Sequence, residues 1–243
     1  MRQAAHPALI FLSYTYQVTF DPTRVQAVLF DLDGTLADTD DQFIRRAGEF
    51  MRWLNFMFPK HDPTQFLRWS LMVSETPINL LMGVPDRLGL DGPLAHLGDW
   101  VSAHRRLTTS AEFVLMAGVD ELLPRLRQRY PLAVVTARVA REAQTFLEQF
   151  NLSPHFQAVA SAQTAPHTKP YPDPVLWAAR TLGVPVENCL MVGDTTVDIL
   201  AGKRAGAQTV GVLCGFGERA ELEQTGANAI IEHTTDLRDL LQV

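Results

Sequence analysis

From residue 117 onward this chain of 243 residues alternates short apolar runs with helical patterns, which constrains its fold more than any other feature does. The runs "LAVVTA" (132–137), "QAVAS" (157–161), "NCLMVGD" (188–194), "QTVGVL" (208–213) and "AIIE" (229–232) read as strands. Helices are predicted between and after them, near 139–150, 173–182, 196–205 and 236–242. Strands joined through helices of this length need right-handed crossovers, and the product is a parallel sheet covered on both faces. The predicted fold class is therefore α/β, with a doubly wound parallel sheet.

The segment "VQAVLFD" (25–31) has the same buried-strand character, yet about 80 residues follow it without a comparable run. An insert after the first strand explains the gap. Phe43, Ala47, Phe50, Met51 and Leu54 recur at helical spacing, so a small helical domain is predicted over 38–111 and the α/β core over 1–37 and 112–243. Trp53, Phe56 and Phe58 read as the core of that domain. "GVDELLPRLRQRY" (118–130) reads as a helix returning to the sheet, with Pro124 tolerated if it lies in the first turns. Before Val25, "SYTYQVTF" alternates as an added strand would.

Composition excludes several classes of partner. The formal charge of -6, without a long basic run, argues against nucleic acid, and no run approaches the roughly 18 apolar residues of a membrane span. Cys189 and Cys214 lack metal-ligand spacing and read as free thiols of a cytoplasmic protein. The seven histidines are scattered, and His167 reads as a loop residue.

The chemistry lies just past the strand ends, which share one crevice in an open parallel sheet. Asp31, Asp33, Gly34 and Thr35 follow the first strand, and Thr136 and Arg138 the second; Lys169 precedes the next helix, and Asp194 and Asp198 follow the fourth strand. So many carboxylates at one point repel one another unless a cation neutralises them. Oxygen ligands without His or Cys suit a hard ion such as Mg²⁺. A divalent cation, a lysine and a threonine hydroxyl together suit a phosphoryl group, with one carboxylate as nucleophile and another as proton donor. Arg138 reads equally as a substrate contact or as a helix-terminus charge.

"DLDGTL", "VVTA", "TKPYPDP" and "VGDTTVDI" resemble, in order, the four motifs of the haloacid dehalogenase (HAD) superfamily. The stretch "GVLCGFGERAELEQTGANAIIE" (211–232) is similar to the tail of its phosphoglycolate phosphatase-like members, whose helical cap has the position of the insert. The resemblance implies a Rossmann-like core with a mobile helical cap. It also implies that Asp31 attacks phosphorus and forms an aspartyl-phosphate, while Asp33 protonates the leaving oxygen and then activates water. Asp31, Asp194 and the main-chain carbonyl of Asp33 would bind Mg²⁺; Thr136 and Lys169 would bind the phosphoryl group. Asp198 would act behind the metal ligands or reach the ion through a water, and Thr35 would support the loop. The implied activity is hydrolysis of a small phosphorylated metabolite, such as a phosphoglycolate-like compound or a sugar phosphate.

Rival readings differ at particular residues. Dehalogenation does not need an acid at position 33, and phosphonatases of the superfamily lack it. A phosphomutase of the beta-phosphoglucomutase type keeps all four motifs. A silent binding or signalling module would more readily have lost one of Asp31, Asp33, Lys169 or Asp194, and all four are present.

Overall fold

The computed structural model describes residues 20–38 and 113–243. The insert positions 39–112 and the alternating stretch before Phe20 lie outside the described residues. Six parallel strands form one sheet: β1 (Ala27–Phe30), β2 (Leu132–Val135), β3 (Ala158–Ala160), β4 (Cys189–Gly193), β5 (Gln208–Val212) and β6 (Ala229–Ile231). Their order across the sheet is β3-β2-β1-β4-β5-β6. The helices are α1 (Val119–Arg127), α2 (Ala140–Gln149), α3 (Asp173–Leu182), α4 (Thr196–Ala205), α5 (Arg219–Thr225) and α6 (Leu237–Leu241). The doubly wound α/β class is therefore the fold observed.

Every residue of β1, β2 and β4 is buried, as strands covered on both faces require. Alternate positions serve opposite sides. Val28, Phe30, Leu132, Val134, Leu190 and Val192 cluster with Leu123 and Leu126 of α1, Phe146 of α2 and Leu237 of α6. Ala27, Leu29, Ala133, Val135 and Met191 cluster instead with Val175, Ala178 and Ala179 of α3 and Ala201 of α4. Alanines in the strands and in α3 leave little side-chain bulk between that helix and the sheet. Phe146 is fully buried on the other side, its ring centroid 5.5 Å from that of Phe113 and 5.2 Å from that of Phe150. Phe146→Ala should cost about 3–5 kcal/mol of stability, from lost burial and the cavity left behind. Equilibrium denaturant unfolding checks this, and a cost under about 1 kcal/mol would mean that the aromatic cluster collapses into the space.

Two details bear on the sequence expectation, and the second differs from it. Pro124 is the sixth residue of α1, in its second turn, where the Asp120 carbonyl loses its usual donor. Helix α5 was not expected, because Leu222 is the only buried residue of the segment and one anchor makes no periodicity.

The chain runs outward from β1 to β2 and β3, then crosses back to β4 and runs out the other way to β6. The strand order thus reverses between β1 and β4, and the crevice at such a point is where open α/β sheets bind ligands. Here the Asp31 amide donates to the Val192 carbonyl at 2.8 Å, tying the end of β1 to β4. Residues 36–38 and 114–116 run side by side as an antiparallel pair: Asp38 N donates to the Val114 carbonyl (2.9 Å) and Met116 N to that of Leu36 (2.8 Å).

Candidate active site

Asp31 is the first residue beyond β1, and the chain turns sharply after it. Gly34 makes the turn possible at φ 71°, and a Cβ there would also overlap the Asp194 carboxylate. The loop is pinned from the C-terminal part of the chain. Thr234 Oγ1 donates to the Thr35 carbonyl at 2.7 Å, and Cys214 Sγ lies 3.5 Å from the Gly34 carbonyl. Thr35 is fully buried and holds the loop through that carbonyl; its hydroxyl meets no protein partner among the described residues.

Lys169 Nζ donates to Asp31 Oδ1 at 2.6 Å and to Asp198 Oδ1 at 2.5 Å, and all three side chains are buried. Asp198 is the third residue of α4, where its Oδ2 accepts from the Thr195 amide (3.0 Å) and hydroxyl (2.7 Å) in a capping box. Both Asp198 oxygens are therefore engaged, Oδ1 by Lys169 and Oδ2 by Thr195. Asp194 follows β4 with no exposed surface, and its Oδ2 accepts from the Phe216 amide at 2.8 Å. A Cβ at Gly215 would overlap the same carboxylate, so the loop after β5 closes over Asp194 only because that residue is glycine.

Carboxylate oxygens of Asp31, Asp194 and Asp198 lie within 4.8 Å of one another. Burial pushes the Asp31 carboxyl well above the usual carboxylate range; the charges of Asp198 and Asp33 push the same way, and Lys169 only partly opposes them. Burial also works against the Lys169 ammonium, but Asp198 and Asp31 outweigh it and hold that group above its ordinary range. The carboxylates of Asp31, Asp194 and Asp198 thus crowd about the Lys169 ammonium, a surplus of negative charge that a further cation would offset. The oxygen-only donor set fits a hard divalent ion.

Asp33 points to a different partner. Arg138 grips it as a fork, Nε to Oδ2 at 2.7 Å and Nη2 to Oδ1 at 2.6 Å. The guanidinium lies 5.2 Å from the centre of the Phe113 ring and reaches Glu142 only at 3.4 Å. Thr136 is buried past β2, and its Oγ1 accepts from the Arg138 amide at 3.1 Å, which starts the turn that aims Arg138 back at the crevice. Asp31, Asp194, Asp198 and Lys169 thus form one buried cluster, with Asp33 and Arg138 paired at its rim. Spacing alone missed this pair and the glycine packing around Asp194, since both join loops more than 20 residues apart.

Comparison with known proteins agrees with this construction. Residues 28–212 match the family model described as haloacid dehalogenase-like hydrolase. The pyrophosphatase PpaX of Anoxybacillus flavithermus is 27% identical over 225 residues, covering 90% of this chain and 98% of that protein. A phosphoglycolate phosphatase of Chromobacterium violaceum is 28% identical over 221 residues, covering 90% and 97%. A crystal structure of a hydrolase from Pseudomonas syringae superposes with a TM-score of 0.65 at 26% identity, covering 89% of this chain and 98% of that one. With β1, β4 and the acidic crevice between them inside the matched region, the chain belongs to the haloacid dehalogenase-like hydrolase family.

Proposed function

We propose that this hydrolase is a Mg²⁺-dependent phosphatase of small phosphate monoesters that works through an aspartyl-phosphate. The observation that carries this reading is the buried cluster in which Lys169 bridges Asp31 and Asp198 beside Asp194. Such a group is poorly suited to stability alone, because carboxylates buried against one another repel. Asp31, Asp194 and the Asp33 carbonyl would hold the ion, which when bound offsets charge on the phosphoryl oxygens.

In the first step an Asp31 oxygen bonds to phosphorus as the ester P–O bond breaks, and the leaving oxygen takes a proton from Asp33. In the second, Asp33 takes a proton from water, the water oxygen bonds to phosphorus, and the Asp31–phosphorus bond breaks to release phosphate. Lys169 and Thr136 serve the transferring group as charge and hydroxyl donors. The paired segments 36–38 and 114–116 support reading 38–111 as a cap domain that leaves and rejoins the core at one place. The two free cysteines support a reducing, cytoplasmic setting. No helix among the described residues is long and apolar enough to cross a membrane.

The test is release of inorganic phosphate from a panel of monoesters, with Mg²⁺ and with chelator. Release is expected to fall to background in chelator and to return on adding Mg²⁺. Interconversion of sugar phosphates without net phosphate release would identify a mutase, and release indifferent to chelator would remove the metal from the mechanism.

A further inference from the structure

We propose that Arg138 selects substrates bearing a second anionic group, by exchanging Asp33 for that group and so releasing Asp33 to the leaving oxygen. This rests on the phosphatase reading above. Both Asp33 oxygens are held by the guanidinium, at 2.7 and 2.6 Å. To carry a proton to a leaving oxygen, Asp33 must turn one of its oxygens away from Arg138, because an oxygen that bears the proton is a poor acceptor for a guanidinium N–H. The guanidinium then needs another acceptor, since an unpartnered charge in a partly buried position is costly.

Among the described residues its surroundings offer no good replacement. Glu142 lies 3.4 Å from Nη1, outside a good charge-assisted distance, and Phe113 presents only a ring face. A carboxylate or second phosphate on the substrate matches the planar fork of donors, as Asp33 does. The side chains of Arg138 and Asp33 are each 23% exposed, so an incoming anion can reach the pair, whereas those of Lys169 and Asp31 are only 4% and 9% exposed. Two further features hold Arg138 in place for this exchange: its amide is fixed on Thr136 Oγ1, and its guanidinium lies against Phe113. An ester without a second anionic group offers no charged acceptor to the fork, and Asp33 then stays on Arg138 for a larger share of the time.

The experiment compares 2-phosphoglycolate with 2-hydroxyethyl phosphate, which replaces the carboxylate by a neutral group, in the full chain with Mg²⁺. The wild type should favour phosphoglycolate in kcat/KM by about tenfold to a hundredfold, the range of one charge-assisted fork. Arg138→Gln should erase most of that ratio, and Arg138→Lys, which keeps charge but not the fork, should retain part of it. An unchanged ratio in Arg138→Gln overturns the proposal. So does an equal loss on both esters, which would make Arg138 only a prop for Asp33. If Arg138→Gln does not fold, Arg138→Lys decides, because an unreduced ratio there removes the fork from selection. Failure of the phosphatase reading itself is seen separately, as no phosphate release from either ester by the wild type.

Discussion

Asp31→Asn should abolish turnover, lowering kcat by about a thousandfold or more, while leaving the fold intact. The amide is nearly the same shape as the carboxylate but a far poorer nucleophile toward phosphorus. Its effect on stability has a definite expected sign. Removing one member of a buried ion pair normally costs about 3–5 kcal/mol, because the other charge is stranded. Lys169 is not stranded here, since Asp198 holds it at 2.5 Å and the amide oxygen can still accept its second bond. What the substitution removes is a buried negative charge facing Asp198 and Asp33, which is costly in the absence of a cation. In chelator the variant should therefore unfold at a temperature no lower than the wild type. Turnover within tenfold of wild type would show that Asp31 is not the nucleophile; lost turnover together with a sharply lower unfolding temperature would make Asp31 a structural residue instead.

The same balance of charge and burial decides which parts of the molecule could be read from the sequence. Strands β1, β2 and β4 are legible because each is an apolar run buried on both faces, which few other settings tolerate. The limits of α3 and α4 are legible because Pro172, Gly183 and Gly206 punctuate them. Helix α5 was not, because Leu222 alone is buried in it. At the site, Asp31, Lys169, Asp194 and Asp198 could be gathered in advance, since parallel strands bring their ends to one crevice whatever the intervening sequence. The aim of a side chain beyond a strand end does not follow from that rule. Arg138 could equally have faced solvent at the start of α2, and its turn back to Asp33 depends on Thr136 and Phe113, neither of which marks itself as a partner. The hold on the first loop by Thr234, 199 residues away, is likewise a product of the assembled fold and has no local signal.

Lys169→Met should have the second large effect, and it separates two roles that one side chain performs. As the proposed donor to the transferring phosphoryl group, Lys169 should contribute about 3–4 kcal/mol of transition-state stabilisation, as other charge-stabilising groups do, so kcat/KM should fall by several hundredfold at saturating Mg²⁺. As the bridge between Asp31 and Asp198, it also neutralises two buried carboxylates at 2.6 and 2.5 Å. Without it they face each other with no counter-charge, and stability in chelator should drop by about 3–5 kcal/mol. Mg²⁺ should recover part of that loss, because a cation beside Asp31 and Asp194 relieves the same repulsion, but it should not recover activity. Denaturant unfolding and phosphate release, each measured with and without Mg²⁺, read the two roles independently. A fall in kcat/KM below tenfold in folded Lys169→Met would assign the phosphoryl group to another donor and leave Lys169 as the brace that lets this acidic crevice fold before its cation arrives.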